Sequence, residues 1–237
     1  MRRRNNASLR ALCIASITLG LFAPVVVQSA EAAAAAGGAV AGRQVGETFA
    51  DIDRTLQLAA LLDQLQTLRA AFIQTTTDKN RRVVQQTRGQ LWVSAPGRFR
   101  LETVEPAVQT LVSDGESFWS YDSDLDQVII TPLQHDISQV PILLLGGDAG
   151  RITEQYLVVH YAADGHEFYV LKPRDTGSLF EALTIEFAEA LPVSIVLRDS
   201  LGQHTAIELA DVSPNQQVDA AVYTFITPPG VDVIDDR

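Results

Sequence analysis

His135, His160, His166 and His204, the aspartates of Asp114-Gly115 and Asp122-Ser-Asp-Leu-Asp126, and the single cysteine Cys13 are the residues of this chain that could do chemistry. None falls into a complete constellation. The run from Asp122 starts like a calcium loop, but Gln127 stands at its sixth position, where Gly makes the sharp turn. Leu133 stands at the twelfth, where a bidentate Glu closes the shell. The histidines lack metal-ligand spacing, and His160 and His166 fall on either side of a hairpin turn at Asp164-Gly165, which disfavours zinc. Gly146-Gly-Asp-Ala-Gly150 follows an apolar segment instead of opening a helix after a strand, so it is not a phosphate loop. No nucleophile elbow is present. Asp114-Gly115 needs no reading beyond a turn, yet a hydrolase using Asp114, Asp122 or a histidine stays open as a rival from the enzyme class.

The elements that would position these residues are mostly strands. Val83–Val93, Arg98–Val104, Gln109–Ser113, Ser117–Tyr121 and Gln127–Thr131 are separated by Pro96-Gly97, Pro106, Asp114-Gly115 and Asp122–Asp126, spacings suited to hairpins. Strands resume at Gln155–Tyr161, Glu167–Leu171, Ala182–Phe187, Val193–Arg198, Thr205–Ala210 and Val222–Ile226. About 11 strands with little between them predict an antiparallel meander, and a sheet of that size curls or closes to protect its edges. Two helical pieces are expected to cap it. Leu58, Leu61, Leu62, Leu65, Leu68 and Phe72 recur at helical spacing over Thr55–Ile73, and Asp136–Leu145 carries a short greasy turn. Within Arg98–Val104, Phe99, Leu101 and Thr103 point one way and Arg98, Arg100 and Glu102 the other. The apolar set lines either an ordinary core or a cavity.

The first 50 residues are expected to lie outside that fold. Arg2, Arg3, Arg4 and Arg10 precede an apolar run, Leu12–Val27, and Ala30-Glu31-Ala32 fits a secretory cleavage site. Residues 1–32 are therefore expected to be a cleaved signal peptide, 33–50 an Ala/Gly-rich flexible leader and 51–237 a single domain. Cleavage would remove the only cysteine, and with it all thiol chemistry. It would also remove four arginines against one glutamate, leaving the mature chain more acidic than the −11 of the whole. Such a surface is repelled by phosphate backbones and anionic head groups and suits a partner with a basic docking patch. No nucleic acid is expected.

Taken in order, several short motifs carry a resemblance. They run from Phe72-Ile-Gln74 through Gly89-Gln-Leu-Trp-Val93 with Pro96, Phe99-Arg100 and Pro106 to Leu111-Val-Ser-Asp-Gly115, Trp119-Ser-Tyr-Asp122 and Leu125-Asp-Gln-Val128. Pro141 with Leu144-Leu145, Leu171 with Pro173, Asp199 with Gly202-Gln203, and Phe225 with Pro228-Pro-Gly-Val231 complete the set. Each is weak alone, but their joint order resembles the LolA family of periplasmic outer-membrane lipoprotein carriers from about Leu56 to Val231. The resemblance implies an incomplete, half-open antiparallel β-barrel with an α-helical lid over an apolar cavity. It implies a non-enzymatic, cofactor-free periplasmic chaperone for the acyl chains of triacylated lipoproteins, expected to be monomeric. Cargo would come from an inner-membrane ABC-type release complex and pass to an outer-membrane lipoprotein acceptor. A paralogue carrying or sensing another lipid or glycolipid is the nearest alternative.

By the resemblance and the alternation, Phe99, Leu101 and Leu111 are expected on the cavity wall. Trp92 and Trp119 match family tryptophans, and Leu58, Leu62, Leu65, Ile142, Leu144 and Leu145 are the expected lid residues. The family position of Leu101 is often tryptophan. One departure concerns the lid: where well-studied members carry an arginine that hydrogen-bonds lid carbonyls, immediately before the proline matching Pro96, this chain has Ala95. Arg98 or Arg100 is the expected substitute, since a guanidinium can donate to several carbonyls.

Overall fold

Alternation of apolar and polar side chains along extended segments builds most of this protein, because successive residues of a strand face opposite sides of a sheet. The computed structural model describes residues 52–133, 141–146, 150–178 and 180–237, all within one unit, Glu47–Arg237. The expected signal peptide and leader, His135 and the part of the Asp136–Leu145 interruption before Pro141 lie outside the described residues.

The chain opens with helix α1 (Ile52–Asp63) and strand β1 (Thr67–Thr77), followed by a meander of β2 (Val83–Ser94), β3 (Arg98–Glu105), β4 (Gln109–Asp114), β5 (Ser117–Asp122) and β6 (Gln127–Pro132). A 3-10 segment, Pro141–Gly146, and the short helix α2 (Gly150–Gln155) lead into a second meander. It comprises β7 (Tyr156–Ala163), β8 (His166–Pro173), β9 (Phe180–Ala188), β10 (Leu191–Asp199) and β11 (His204–Pro214). A 3-10 turn at Ala220–Tyr223 and β12 (Asp232–Asp235) end the chain. All 12 strands form one sheet in the order β12-β6-β5-β4-β3-β2-β1-β11-β10-β9-β8-β7. Every neighbouring pair is antiparallel except β12 with β6, which is parallel. β1 is the seam between the meanders, with β2 on one side and β11 on the other. The end strands β12 and β7 do not pair, so the sheet is open and the expected half-open form is what the chain adopts.

Two expectations change. The helix expected over Thr55–Ile73 stops at Asp63, and its second half becomes β1. Leu68 and Phe72 satisfy helical spacing, but with Ala70 they also satisfy a period of two. Pairing on both edges, Leu68 with Val93 and Phe72 with Leu209, satisfies the backbone as strand. The strand expected at Val222–Ile226 is instead the turn Ala220–Tyr223, capped by Asp219, whose Oδ1 accepts from the Ala221 N–H at 2.9 Å. With that strand removed and β1 and β12 added, the expected 11 become 12.

Register decides which residues share the inner face. Leu68, Val93 and Phe99 lie abreast on β1–β3, and Ala70, Leu91, Leu101 and Leu111 lie abreast on β1–β4. Across the second meander the same face carries Val158, Leu171, Leu183 and Leu197, with Tyr169, Ile185, Ile195 and Ile207 in the next row. α1 lays Leu58 and Leu62, one turn apart, into this cluster, and Leu65 follows. A 12-residue helix is marginal on its own in water, so α1 is held by burial, about 1.5–3 kcal/mol per fully buried leucine.

Candidate functional site

Asp114, Asp122, His160 and His166, which could have done chemistry, are committed to turns and pairs. Asp114 Oδ1 accepts from the backbone N–H groups of Glu116 and Ser117 at 2.9 and 2.8 Å, and Asp122 Oδ1 from those of Asp124 and Leu125 at 2.9 and 3.2 Å. Asp199 does the same for Leu201 and Gln203. These are turn-closing contacts. His160 pairs with Glu167, and His166 with Glu186, but alternation puts the two histidines on opposite faces of the β7–β8 hairpin. Among the described residues no three potential metal donors gather.

The apolar residues do gather. Phe99 and Leu101 are buried on the inner face, Leu111 packs against them partly buried, and the Phe99 ring lies 6.0 Å from that of Phe118. Leu58, Leu62 and Leu65 from α1 and the α1–β1 junction, and Ile142, Leu144 and Leu145 from the 3-10 segment, belong to the same buried cluster. Sequence reasoning missed Leu68, Ala70 and Phe72, hidden in the expected helix, and the Tyr169–Ile185–Ile195 row. The alternation of Ala182–Phe187 signalled that row but not its partner. Trp92 and Trp119 stand apart. Trp92 alternates with the inner-facing Leu91 and Val93 and lies under the Arg69 guanidinium, 5.7 Å from it. Trp119 sits between Val112 and Ile130, on the same outer face.

The inner face of an open antiparallel sheet is thus covered by two greasy lid pieces, and comparison with known proteins supplies the family. Residues 63–226 match the profile of the outer membrane lipoprotein carrier protein LolA. The chain belongs to the LolA family. It is 38% identical over 200 residues to the outer-membrane lipoprotein carrier protein of Pseudomonas paraeruginosa, covering 83% of this chain and 96% of that protein. It is 40% identical over 179 residues to the one from Hahella chejuensis, covering 75% and 86%. Among solved structures it is similar to a LolA superfamily protein from Nitrosomonas europaea, with 13% identity and a TM-score of 0.45 over 72% of this chain and 97% of that one.

In this LolA-family chain, backbone bonds and one side chain tie these covering segments down: the Asn215 side-chain amide donates to the Gln64 carbonyl and accepts from the Gln66 N–H, each at 2.9 Å. The Gly97 N–H, in the β2–β3 turn, donates to the Gly146 carbonyl at the end of the 3-10 segment at 2.7 Å, and the Ala95 N–H donates to the Gln66 carbonyl at the α1–β1 junction at 3.0 Å. Gly97 has φ +69, a turn conformation that glycine adopts without strain. Gly146 lies so close to the sheet that a Cβ there would fall 2.3 Å from Val93 Cγ1.

Arg98 and Arg100, the expected latch residues, make their contacts on the outer face. The Arg98 guanidinium lies 5.6 Å from the Tyr223 ring and donates to Ser94 Oγ at 3.2 Å. Arg100 donates to the Val222 carbonyl at 3.3 Å and to Glu102 Oε1 at 2.6 Å. Both therefore pin the C-terminal 3-10 turn against β3 and β4. Burial there pushes the Tyr223 phenol up, with Arg98 working against it.

Proposed function

We propose that this protein is a periplasmic carrier that takes up the acyl chains of outer-membrane-directed lipoproteins and releases them again without covalent chemistry. The observation that carries the reading is that α1 and the 3-10 segment, with the junction after α1, lay six buried apolar residues on the inner face of a sheet that does not close. Each acyl CH₂ in water costs about 0.8 kcal/mol, so chains of about 15 carbons need extensive apolar cover. Lids that bury themselves against the sheet compete with cargo for the same surface, which makes binding reversible.

Family membership supports the rest of the assignment. Phe99, Leu101, Leu111, Leu58, Leu62, Leu65, Ile142, Leu144 and Leu145 are the proposed contacts for acyl chains. The tryptophans are left out because they lie on the other face. Triacylated lipoproteins, an inner-membrane ABC-type release complex and an outer-membrane lipoprotein acceptor are the proposed partners of a monomeric protein. The test is release: the mature protein, added to spheroplasts with a competent release complex, should bring a triacylated lipoprotein into the soluble fraction. If the lipoprotein stays with the membrane, the reading fails, and lipid mass spectrometry of the purified protein would show whether another lipid or glycolipid takes its place.

A further inference from the structure

Tyr169 is fully buried at 0% exposure, yet its hydroxyl has no hydrogen-bond partner among the described residues. Buried polar atoms are paired in the great majority of cases, and leaving one unpaired costs free energy, so the exception asks for a partner that is not always there. The surroundings define which partner. Register places Tyr169 on the inner face beside His160, ring to ring at 4.8 Å, and the Phe187 ring meets it edge-on at 5.8 Å. α1 packs on the adjacent β7, and Arg54 from its first turn reaches Tyr169 electrostatically. Tyr169 thus belongs to the buried cluster, and its hydroxyl is shielded from bulk water where the field of Glu167 and Arg54 reaches it.

We propose that the Tyr169 hydroxyl is a hydrogen-bond donor for the carbonyl oxygen of an ester- or amide-linked acyl group bound under the lid. This rests on the acyl-carrier reading and adds to it a polar anchor that fixes how deep a chain enters. Burial and the Glu167 carboxylate hold the phenol in its protonated, donating form, with Arg54 opposing. Glu167 is already paired with His160 and does not take up the hydroxyl. A carbonyl carries no charge and accepts from O–H. An ester of glycerol and an amide on a peptide N-terminus present the same group, so the ligand class is the acyl linkage.

The experiment compares wild type with Tyr169→Phe, which removes only the oxygen. Binding of a long-chain diacylglycerol, a dialkylglycerol ether with the same chains and a synthetic triacylated lipopeptide is measured, together with the thermal midpoint of the free protein. The expected result is a loss of about 2- to 10-fold for the two carbonyl-bearing ligands, the range of one net hydrogen bond. The ether should be unaffected and the midpoint unchanged or raised, because no partner is lost in the free state. A lower midpoint would show that the hydroxyl is already paired, and an equal effect or none on ester and ether would leave the carbonyl without a role. Either overturns the proposal while the carrier reading stands. If wild type binds none of the three lipids, the carrier reading itself has failed and this one falls with it.

Discussion

The Gly97 N–H and the Gly146 carbonyl, far apart in sequence and 2.7 Å from each other in space, tie the β2–β3 turn to the end of the greasy 3-10 lid. The bond can form because both residues are glycine: Gly97 takes φ +69, and Gly146 lies against Val93 where no side chain fits. A backbone amide thus stands near the place where the family resemblance leads one to expect an arginine side chain, and it needs no residue of a particular charge at Ala95.

Gly146→Ala is expected to lift the 3-10 segment, because its methyl would lie 2.3 Å from Val93 Cγ1. Overpacking of this kind costs about 1–3 kcal/mol. An apolar fluorescent probe should then enter the free protein more readily than in wild type. Val93→Ala added to Gly146→Ala should restore both the thermal midpoint and the low probe uptake. A double variant as leaky as the single would show that contact with Val93 is not what opens the lid.

Replacing Arg98 and Arg100 together by Ala is expected to leave probe uptake near wild type and to loosen the C-terminal turn. The double replacement removes a cation–π pair with Tyr223 and a hydrogen bond to Val222, of about 0.5–3 kcal/mol each. Limited proteolysis should cut faster near Val222 and Tyr223. Uptake rising as far as in Gly146→Ala would return the latch to the arginines.

Leu58 and Leu56 are close neighbours on α1 with opposite fates, 0% and 55% exposed. Leu58→Ala should lower stability by about 2–5 kcal/mol, and Leu56→Ala by no more than about 0.5 kcal/mol. Denaturant titration of the two variants checks the difference, and equal losses would contradict the placement of the helix.

The Asp235 carboxyl is held down at about 2, first by the side-chain hydrogen bond from Arg237 and then by the Arg237 N–H. A carboxyl whose pKa falls on folding stabilises the fold above its unfolded value of 3.8. That contribution disappears as pH drops through about 2. NMR titration of Asp235 should therefore give a midpoint well below the ordinary range, and Arg237→Ala should move it upward. An unchanged midpoint in that variant would remove the cause assigned here.

Much of this molecule follows from local pattern. The hairpins between β2 and β6 are legible because Pro96-Gly97, Asp114-Gly115 and Asp122–Asp126 supply turn chemistry between alternating runs, and alternation alone put Phe99 and Leu101 on one face and Arg98 and Arg100 on the other. What pattern could not decide was anything with two local solutions or a distant partner. Leu68 and Phe72 fit a helix as well as a strand, and only pairing with β2 and with β11, near the other end of the chain, made them strand. Trp92 and Trp119 carried motifs pointing to the lipid site, but register assigns both to the outer face, and only the distant C-terminal turn gives Arg98 its partner there. The bond between Gly97 and Gly146 left only two glycines as its trace, because its donor and acceptor are backbone groups that no side-chain pattern marks. The spacing of apolar and turn residues determined a mostly β fold with apolar covers; the tertiary structure alone decided which covers lie on which face and which atoms hold them there.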